Sequence, residues 1–307
     1  MAEITARMVK ELRDKSGAGM MDCKSALVET DGDLDAAIDI LRTKGLSAAA
    51  KKAGRAASEG LIGVKTTETS GAIVEINSET DFVARNDVFQ TFVKNVTNIA
   101  QDVGGDFNSL KTSDYVSSSR TVEEEATQMV ATIGENINLR RAAALQVEKG
   151  FVSEYVHNKV SDGLGKIGVL VALESEATPD QLSQLGRNLA MHICSADPQA
   201  IDIESLDPRT VERERKILLD QALESGKNDD IIQKMVEGRI QKFYQESVLL
   251  EQSYVLDTEK TVAEAIKEVS VDIGSDIVIK GYVRYNLGEG LEGKEDDFAE
   301  EVARLSE

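Results

Sequence analysis

Residues 71–79, GAIVEINSE, and residues 168–176, GVLVALESE, carry the same residue at four of nine positions. A Gly-led apolar run precedes each stretch, GLIGV from Gly60 and GFVSEYV from Gly150. A helical pattern follows each, FVARNDVFQTFVKNV in one case and DQLSQLGRNLAMHI in the other. Both copies therefore read strand, turn, strand, helix. A repeat of this kind implies two related α+β subdomains, each with a sheet covered by helices on one side, and a shared inner surface between the sheets. Strand signal returns once more at SDIVIKGYVRYNL, after Asp272.

Working outward, residues 1–45 read as three short helices. Ile4, Met8, Val9 and Leu12 form one face of the first, which stops near Gly17 and Gly19. Asp22 is expected to cap the second. Leu34, Ala37, Ile38 and Leu41 form the stripe of the third, with Asp33 as N-cap and Gly45 as its stop. SAAAKKAGRAASEG then reads as a helical linker. Between Asp207 and Leu250 two polar helices share a thin apolar seam through Ile231/Ile232, Met235/Val236, Ile240 and Phe243, the pattern of a projecting antiparallel hairpin. The chain thus divides into a three-helix module with linker (1–55), a first core subdomain (56–146), a second (147–200 and 250–287), the hairpin (201–249) and an acidic C-terminal module (288–307). The expected class is α+β and helix-rich.

Composition narrows the function. The 307 residues carry 35 Lys+Arg against 55 Asp+Glu, a net charge of -20, which repels phosphate backbones and anionic membranes. No direct nucleic-acid partner is expected. Residues 1–55 hold ten basic and nine acidic side chains, so this module is nearly neutral and the excess negative charge lies in the rest. Two cysteines and two histidines offer neither a disulfide framework nor a zinc-ligand spacing. With no signal-peptide pattern and no long apolar run, the expectation is a soluble, cytoplasmic protein. Nucleotide-binding, metalloprotease and acyl-transfer signatures are missing, so the chain reads as one that acts by binding another protein rather than as an enzyme.

The most distinctive string is NSETDFVARN, residues 77–86, at the junction of the first copy's strand and helix. Ser78 or Thr80 can cap that helix, with Glu79 and Asp81 at the positive end of its dipole. Two readings stand side by side. In one, this is a helix start with Phe82 in the core; in the other, Phe82 and Asp81 form an exposed wedge for a partner's pocket. His157 falls at the tip or edge of the second copy's hairpin, without an acid or nucleophile beside it. Met20 and Met21 follow a Gly-rich turn and suit either a contact surface or packing. His192 and Cys194 would be the only candidates for a Cys/His hydrolase, yet two residues apart on a helix they point to different faces.

These motifs also carry a resemblance. VKELRDKSGAGMMDCKSAL near the N-terminus, NSETDFVARN, GENINLRR from Gly134, AMHI from Ala190 and KMVEGRIQKF from Lys234 are together similar to the bacterial elongation factor Ts family over essentially the whole chain. The resemblance implies guanine nucleotide exchange on elongation factor Tu, and a ubiquitin-associated-like fold for the three-helix module. It implies that Asp81 and Phe82, flanked by Thr80 and Val83, are the pair that intrudes near the partner's Mg²⁺ site, and that His157 presses near its phosphate-binding loop. Leu12, Met20 and Met21 match N-terminal contact positions, and Phe298 and Val302 match a C-terminal contact module. The hairpin matches an element for homodimerisation. No cofactor of its own is implied, because the partner holds both Mg²⁺ and GDP. The loop HNKVSDGLGKIGVLV, from His157, departs from the family's shorter HGxRIGVLV form. A general interaction scaffold built on the three-helix module remains the alternative.

Overall fold

The computed structural model describes residues 4–116, 118–224 and 227–291. Both copies of the repeat form the predicted hairpin and helix. In the first, β1 (Glu59–Thr66) pairs antiparallel with β2 (Ser70–Ser78), and α4 (Asp87–Asp102) follows. In the second, β4 (Gly150–His157) pairs with β6 (Ile167–Glu174), and α7 (Pro179–Ala196) follows.

The likeness extends further than the sequence match. Each copy continues through a capping-box helix, α6 (Val122–Ile133) or α10 (Val262–Ile273). Left-handed Gly134 or Gly274 closes that helix, and a third strand, β3 (Asn138–Gln146) or β9 (Val278–Asn286), then adds beside the second. A bulge interrupts the pairing at Glu75/Ile76 in one copy and at the aligned Ala172/Leu173 in the other. Gly60 and Gly150 open the two hairpins at φ 126° and 128°, where an added Cβ would lie 2.2 Å from the Ile76 carbonyl oxygen and 2.0 Å from that of Leu173. Only glycine fits there.

Alternation along the strands explains the layering. On β2, Ala72, Val74 and Ile76 face a core completed by Phe89, Phe92, Val93 and Val96 of α4, and by Val122 and Val130 of α6. On β6, Val169, Val171 and Leu173 face Leu182, Leu185 and Leu189 of α7 and Val262 of α10. The opposite faces meet each other: Ile62, Val64 and Ile73 pack against Val152, Leu170 and Ala172. The shared inner surface is thus a largely apolar sheet-on-sheet layer between two helical layers. Strands buried on both faces read as continuous apolar runs, which is why VLVAL shows no alternation.

Between β4 and β6 the chain forms β5 (Leu164–Gly165), which pairs with β1 and gives the first sheet the order β3-β2-β1-β5. The longer loop after His157 therefore stitches the second copy's chain onto the first copy's sheet. Between α4 and α6 lies the short α5 (Phe107–Thr112). At the equivalent place in the second copy, between α7 and α10, stand α8 (Pro208–Leu223) and α9 (Asp229–Ser247). Leu218 and Ala222 meet Ile232, Val236 and Ile240 along the narrow seam. Ile231 is exposed, while Phe243 belongs to the hairpin's base with Ala200, Leu206 and Val248. The short β7 (Ser253–Tyr254) and β8 (Asp257–Thr261) complete the second copy.

The N-terminal helices are α1 (Ala6–Ser16), α2 (Met20–Glu29) and α3 (Leu34–Lys52). Asp33 caps α3 as expected, but Asp22 does not cap α2, whose N-cap is Gly19 without a side-chain bond. Gly45 does not stop α3 either. The helix runs through it: Gly45 is buried facing Ala131 and Gln128 of α6, with room for a Cβ at ordinary contact distance, and the packing of α3 on α6 outweighs the roughly 1 kcal/mol helical penalty of glycine. Phe298 and Val302 lie outside the described residues, as does the rest of the acidic module beyond Leu291.

Candidate functional site

The junction between β2 and α4 takes Phe82 out of the core. Its side chain is 75% exposed, while Val83 and Ala84 beside it are buried with Phe89 in the first copy's core. The segment makes a single 3₁₀ turn over Val83–Arg85, and Asn86 caps α4 by accepting from the Val88 and Phe89 N–H groups at 2.9 and 3.4 Å. Neither Ser78 nor Thr80 caps the helix, and Glu79 and Asp81 sit a turn too early to meet its dipole. The extra turn takes up the residues that a direct strand-to-helix reading assigns to the helix start.

What these residues do instead is brace the turn. Thr80 donates twice to the Glu135 carboxylate, from its N–H at 2.9 Å and its hydroxyl at 2.6 Å. Glu79 in return accepts from the Asn136 N–H at 2.7 Å and pairs with Arg55 at 3.4 Å, while Asn136 Nδ2 donates to the Arg55 carbonyl at 2.9 Å. Asp81 is exposed beside Phe82. Val83, expected as a contact residue, is an anchor from below and offers no surface to a partner.

His157 ends β4 and is exposed, with Nδ1 3.3 Å from the Tyr155 hydroxyl. Its carbonyl accepts from the Lys166 N–H at 3.1 Å, and the chain reverses at Asn158, which is left-handed at φ 49°. Lys166 pairs with Glu59, and Glu59 stands opposite Ser78 in the β1–β2 register. His157 and the turn bearing Asp81 and Phe82 thus occupy the same end of the packed sheets.

The three-helix module seats against α6. Arg42 pairs with Glu124 near the start of that helix, and near its end the Thr132 hydroxyl donates to the Gly17 carbonyl at 3.4 Å and Lys52 to the Gly134 carbonyl. Met20 and Met21, on the first turn of α2, are 53% and 72% exposed. Leu12 is fully buried among Val9, Cys23, Leu27 and Leu41, so its expected role as a contact position is corrected: it supports the module from inside. Helical spacing had already put Leu12 on the apolar face.

The Cys/His alternative is also settled by burial. His192 Nδ1 accepts from the Val255 N–H at 3.2 Å, leaving Nε2 to donate to Gln252 Oε1 at 2.9 Å, and burial pushes the ring's pKa down toward the neutral form. Burial likewise pushes the buried Cys194 thiol up, away from thiolate. Both are packing residues. Among the described residues no group of three or more His, Cys, Asp or Glu could hold a metal ion, and no helix is long and apolar enough to cross a membrane.

One buried charge was not foreseen. Glu75, on the sheet-facing side of the β2 bulge, is fully buried and accepts from Arg140 Nη1 at 2.7 Å, Arg141 Nε at 2.6 Å, Asn77 Nδ2 at 3.1 Å and the Gly288 N–H at 2.8 Å. Burial alone would raise its carboxyl; the Gly288 N–H, Arg140, Asn77 and Arg141 together hold it below the ordinary range. Arg141 also stacks 4.0 Å over the Tyr285 ring, tying the end of β9 to the first copy. The string GENINLRR supplies Glu135, Asn136, Arg140 and Arg141, so a signal for both the brace and this cluster was present, although spacing alone gave them no role.

The turn thus presents an exposed aromatic beside a carboxylate on a duplicated α+β scaffold. A sequence model of the family described as Elongation factor TS matches residues 79–289. The chain is 57% identical to Elongation factor Ts of Parvibaculum lavamentivorans, covering 99% of this chain and 98% of that protein. It is 56% identical to that of Rhodospirillum rubrum, again over 99% and 98%, and 54% identical to that of Rhodospirillum centenum over the full length of both. The chain belongs to the elongation factor Ts family. Membership implies guanine nucleotide exchange in translation elongation, with elongation factor Tu as the partner.

Proposed function

We propose that the chain drives GDP release by wedging Phe82 and Asp81 into elongation factor Tu beside its Mg²⁺ site, while His157 presses on the phosphate-binding loop. The observation that carries this reading is the 75% exposure of Phe82 on a turn whose next two residues are buried. An exposed aromatic held this way loses little conformational freedom on insertion. Asp81 adds negative charge where a metal-bound nucleotide must be displaced, and His157 lies at the same end of the sheets to extend the contact.

No bond chemistry is required of this chain, and no cofactor. It acts as a ligand that prefers the partner conformation with a spoiled phosphate loop and metal site. The three-helix module, of ubiquitin-associated type in this reading, attaches to the partner's GTPase domain through Met20 and Met21. Phe298 and Val302 add a second attachment, and exchange takes place in the cytoplasm. Homodimerisation through the hairpin fits the exposed Ile217, Leu219, Leu223 and Ile231 on α8 and α9.

Release of labelled GDP from elongation factor Tu tests the wedge. Phe82→Ala is expected to remove about 2 kcal/mol or more of interaction, and Asp81→Ala to slow exchange as well, each in a folded chain. His157→Ala should have the smaller effect, because it contributes one side chain at the rim. Unchanged release with both Phe82 and Asp81 replaced would sink the proposal.

A further inference from the structure

The two bonds from Thr80 give Glu135 a role that rests on the wedge reading and deepens it: we infer that Glu135 is a positioning residue that holds Phe82 at the angle and height needed for insertion. Residues 79–80 and 135–136 exchange carboxylates. Glu135 takes the N–H and hydroxyl of Thr80, and Glu79 takes the N–H of Asn136. All three are hydrogen bonds to a carboxylate, the strong kind. They fix main-chain atoms two residues from Phe82, on the side of the turn opposite its buried anchors Val83 and Ala84.

The fold itself does not call for this clamp. In the second copy the contact from this junction to the residue after the left-handed glycine is Ser175 Oγ to Ser275 Oγ at 3.0 Å, and the junction's carboxylate, Glu176, accepts from Lys149 at 2.8 Å instead. Among the described residues, carboxylate bonds between the junction and the two residues after the left-handed glycine occur in the copy where an aromatic projects.

Glu135 also follows directly from α6, on which the three-helix module is seated through Arg42, Gly45 and Lys52. A twelve-residue helix is about 18 Å long. Through Thr132 and Gly17 at one bond, and Glu135 and Thr80 at the next, α6 fixes the spacing between the Met20–Met21 surface and Phe82. A partner gripped by the module is thereby presented to the wedge in one register.

The test exploits the absence of tryptophan from the chain. Phe82→Trp places a single reporter at the tip, and time-resolved anisotropy of the free, full-length protein reads its local motion. Glu135→Gln leaves one acceptor oxygen for two donors, and should increase the amplitude of fast depolarisation; Glu135→Asp, with both oxygens retained, should restore part of the order. In GDP release from elongation factor Tu, Glu135→Gln should slow exchange about tenfold in the Phe82 background and less than twofold when Phe82 is already Ala, since the two act as one unit. Unchanged anisotropy, or equal slowing in both backgrounds, would overturn the positioning role. Unchanged release with Phe82→Ala alone would instead overturn the wedge reading, and the anisotropy would still decide whether Glu135 orders the turn.

Discussion

The first copy of the repeat spends eight residues, 79–86, between its second strand and its helix, whereas the second spends four, 175–178. In the second, Thr178 and Gln181 form a capping box, Pro179 begins the helix, and residues 175–178 include no aromatic. In the first, the added residues make a turn that sinks Val83 and Ala84 and lifts Phe82 into solvent. The bracing position is common to both: Glu135 follows the left-handed Gly134, and Ser275 follows the left-handed Gly274. The second copy has its own elaboration elsewhere, the α8–α9 hairpin where the first has only α5. One scaffold, duplicated, thus carries an exposed aromatic turn on one half and a two-helix hairpin on the other, and in each the elaboration occupies a connection while the layers stay alike.

The largest predicted effect comes from making the copies more alike at the bulge. The residue aligned with Glu75 is Ala172, and Glu75→Ala would leave Arg140 and Arg141 without their buried acceptor. A loss of about 3–5 kcal/mol in urea unfolding is expected. The sign with pH is fixed by the lowered carboxyl: its contribution is present above the ordinary value of 4.5 and drains away as pH falls through the still lower folded value. The variant should therefore lose part of the protein's acid-side slope. A stability profile parallel to the wild type between pH 6 and 3 would show that Glu75 is not held as described.

A smaller effect is expected from the second copy's brace. Ser275→Ala removes the hydrogen bond to Ser175 and should lower stability by about 1 kcal/mol with GDP release unchanged. Slowed exchange in this variant would break the distinction between a structural brace and a functional one.

The smallest effect should follow from trimming the hairpin. Ser247, Val248 and Leu249 belong to its base, where Gln199 N–H donates to Ser247 O and Leu249 N–H to Ala200 O, both at 2.8 Å. Removing 209–249 would therefore open the core. Excising 213–241, with Val211 and Phe243 left in their shared cluster and joined by a short Gly/Ser linker, should keep exchange within about twofold while sedimentation reports any loss of dimer. A folded but inactive product would place the hairpin on the active surface.

Much of this was legible in the residues themselves. The repeat at 71–79 and 168–176 revealed the duplicated architecture because buried strands must be apolar on both faces, and Gly60 and Gly150 marked where two hairpins start. The exposure of Phe82 was not legible: composition allowed it in a core or on a tip, and only the 3₁₀ turn, fixed by Asn86 and by the Glu135 carboxylate from a distant loop, decides between them. Gly45 misled for a similar reason, since a glycine inside a helix held by packing looks the same in sequence as one that ends its own. Leu12 and Val83 were drawn into the expected contact set by their neighbours in recognisable motifs, although apolar periodicity argued for burial. Glu75 was hidden inside an apolar run, its partners 65 and 66 residues away along the chain.

The central claim is that binding energy from the first copy's wedge is set against Mg²⁺-GDP on the partner. Linkage then requires reciprocity: whatever factor this chain imposes on the partner's affinity for Mg²⁺-GDP, Mg²⁺-GDP imposes on the partner's affinity for this chain. A coupling of about 3 kcal/mol corresponds to a factor of roughly 150. Calorimetric titration of the unmodified chain into elongation factor Tu, empty and then saturated with Mg²⁺-GDP, measures both arms directly. Tight binding to the empty form, weakened by about that factor when nucleotide is present, is the predicted result. Equal affinity for the two forms would contradict exchange by a wedge.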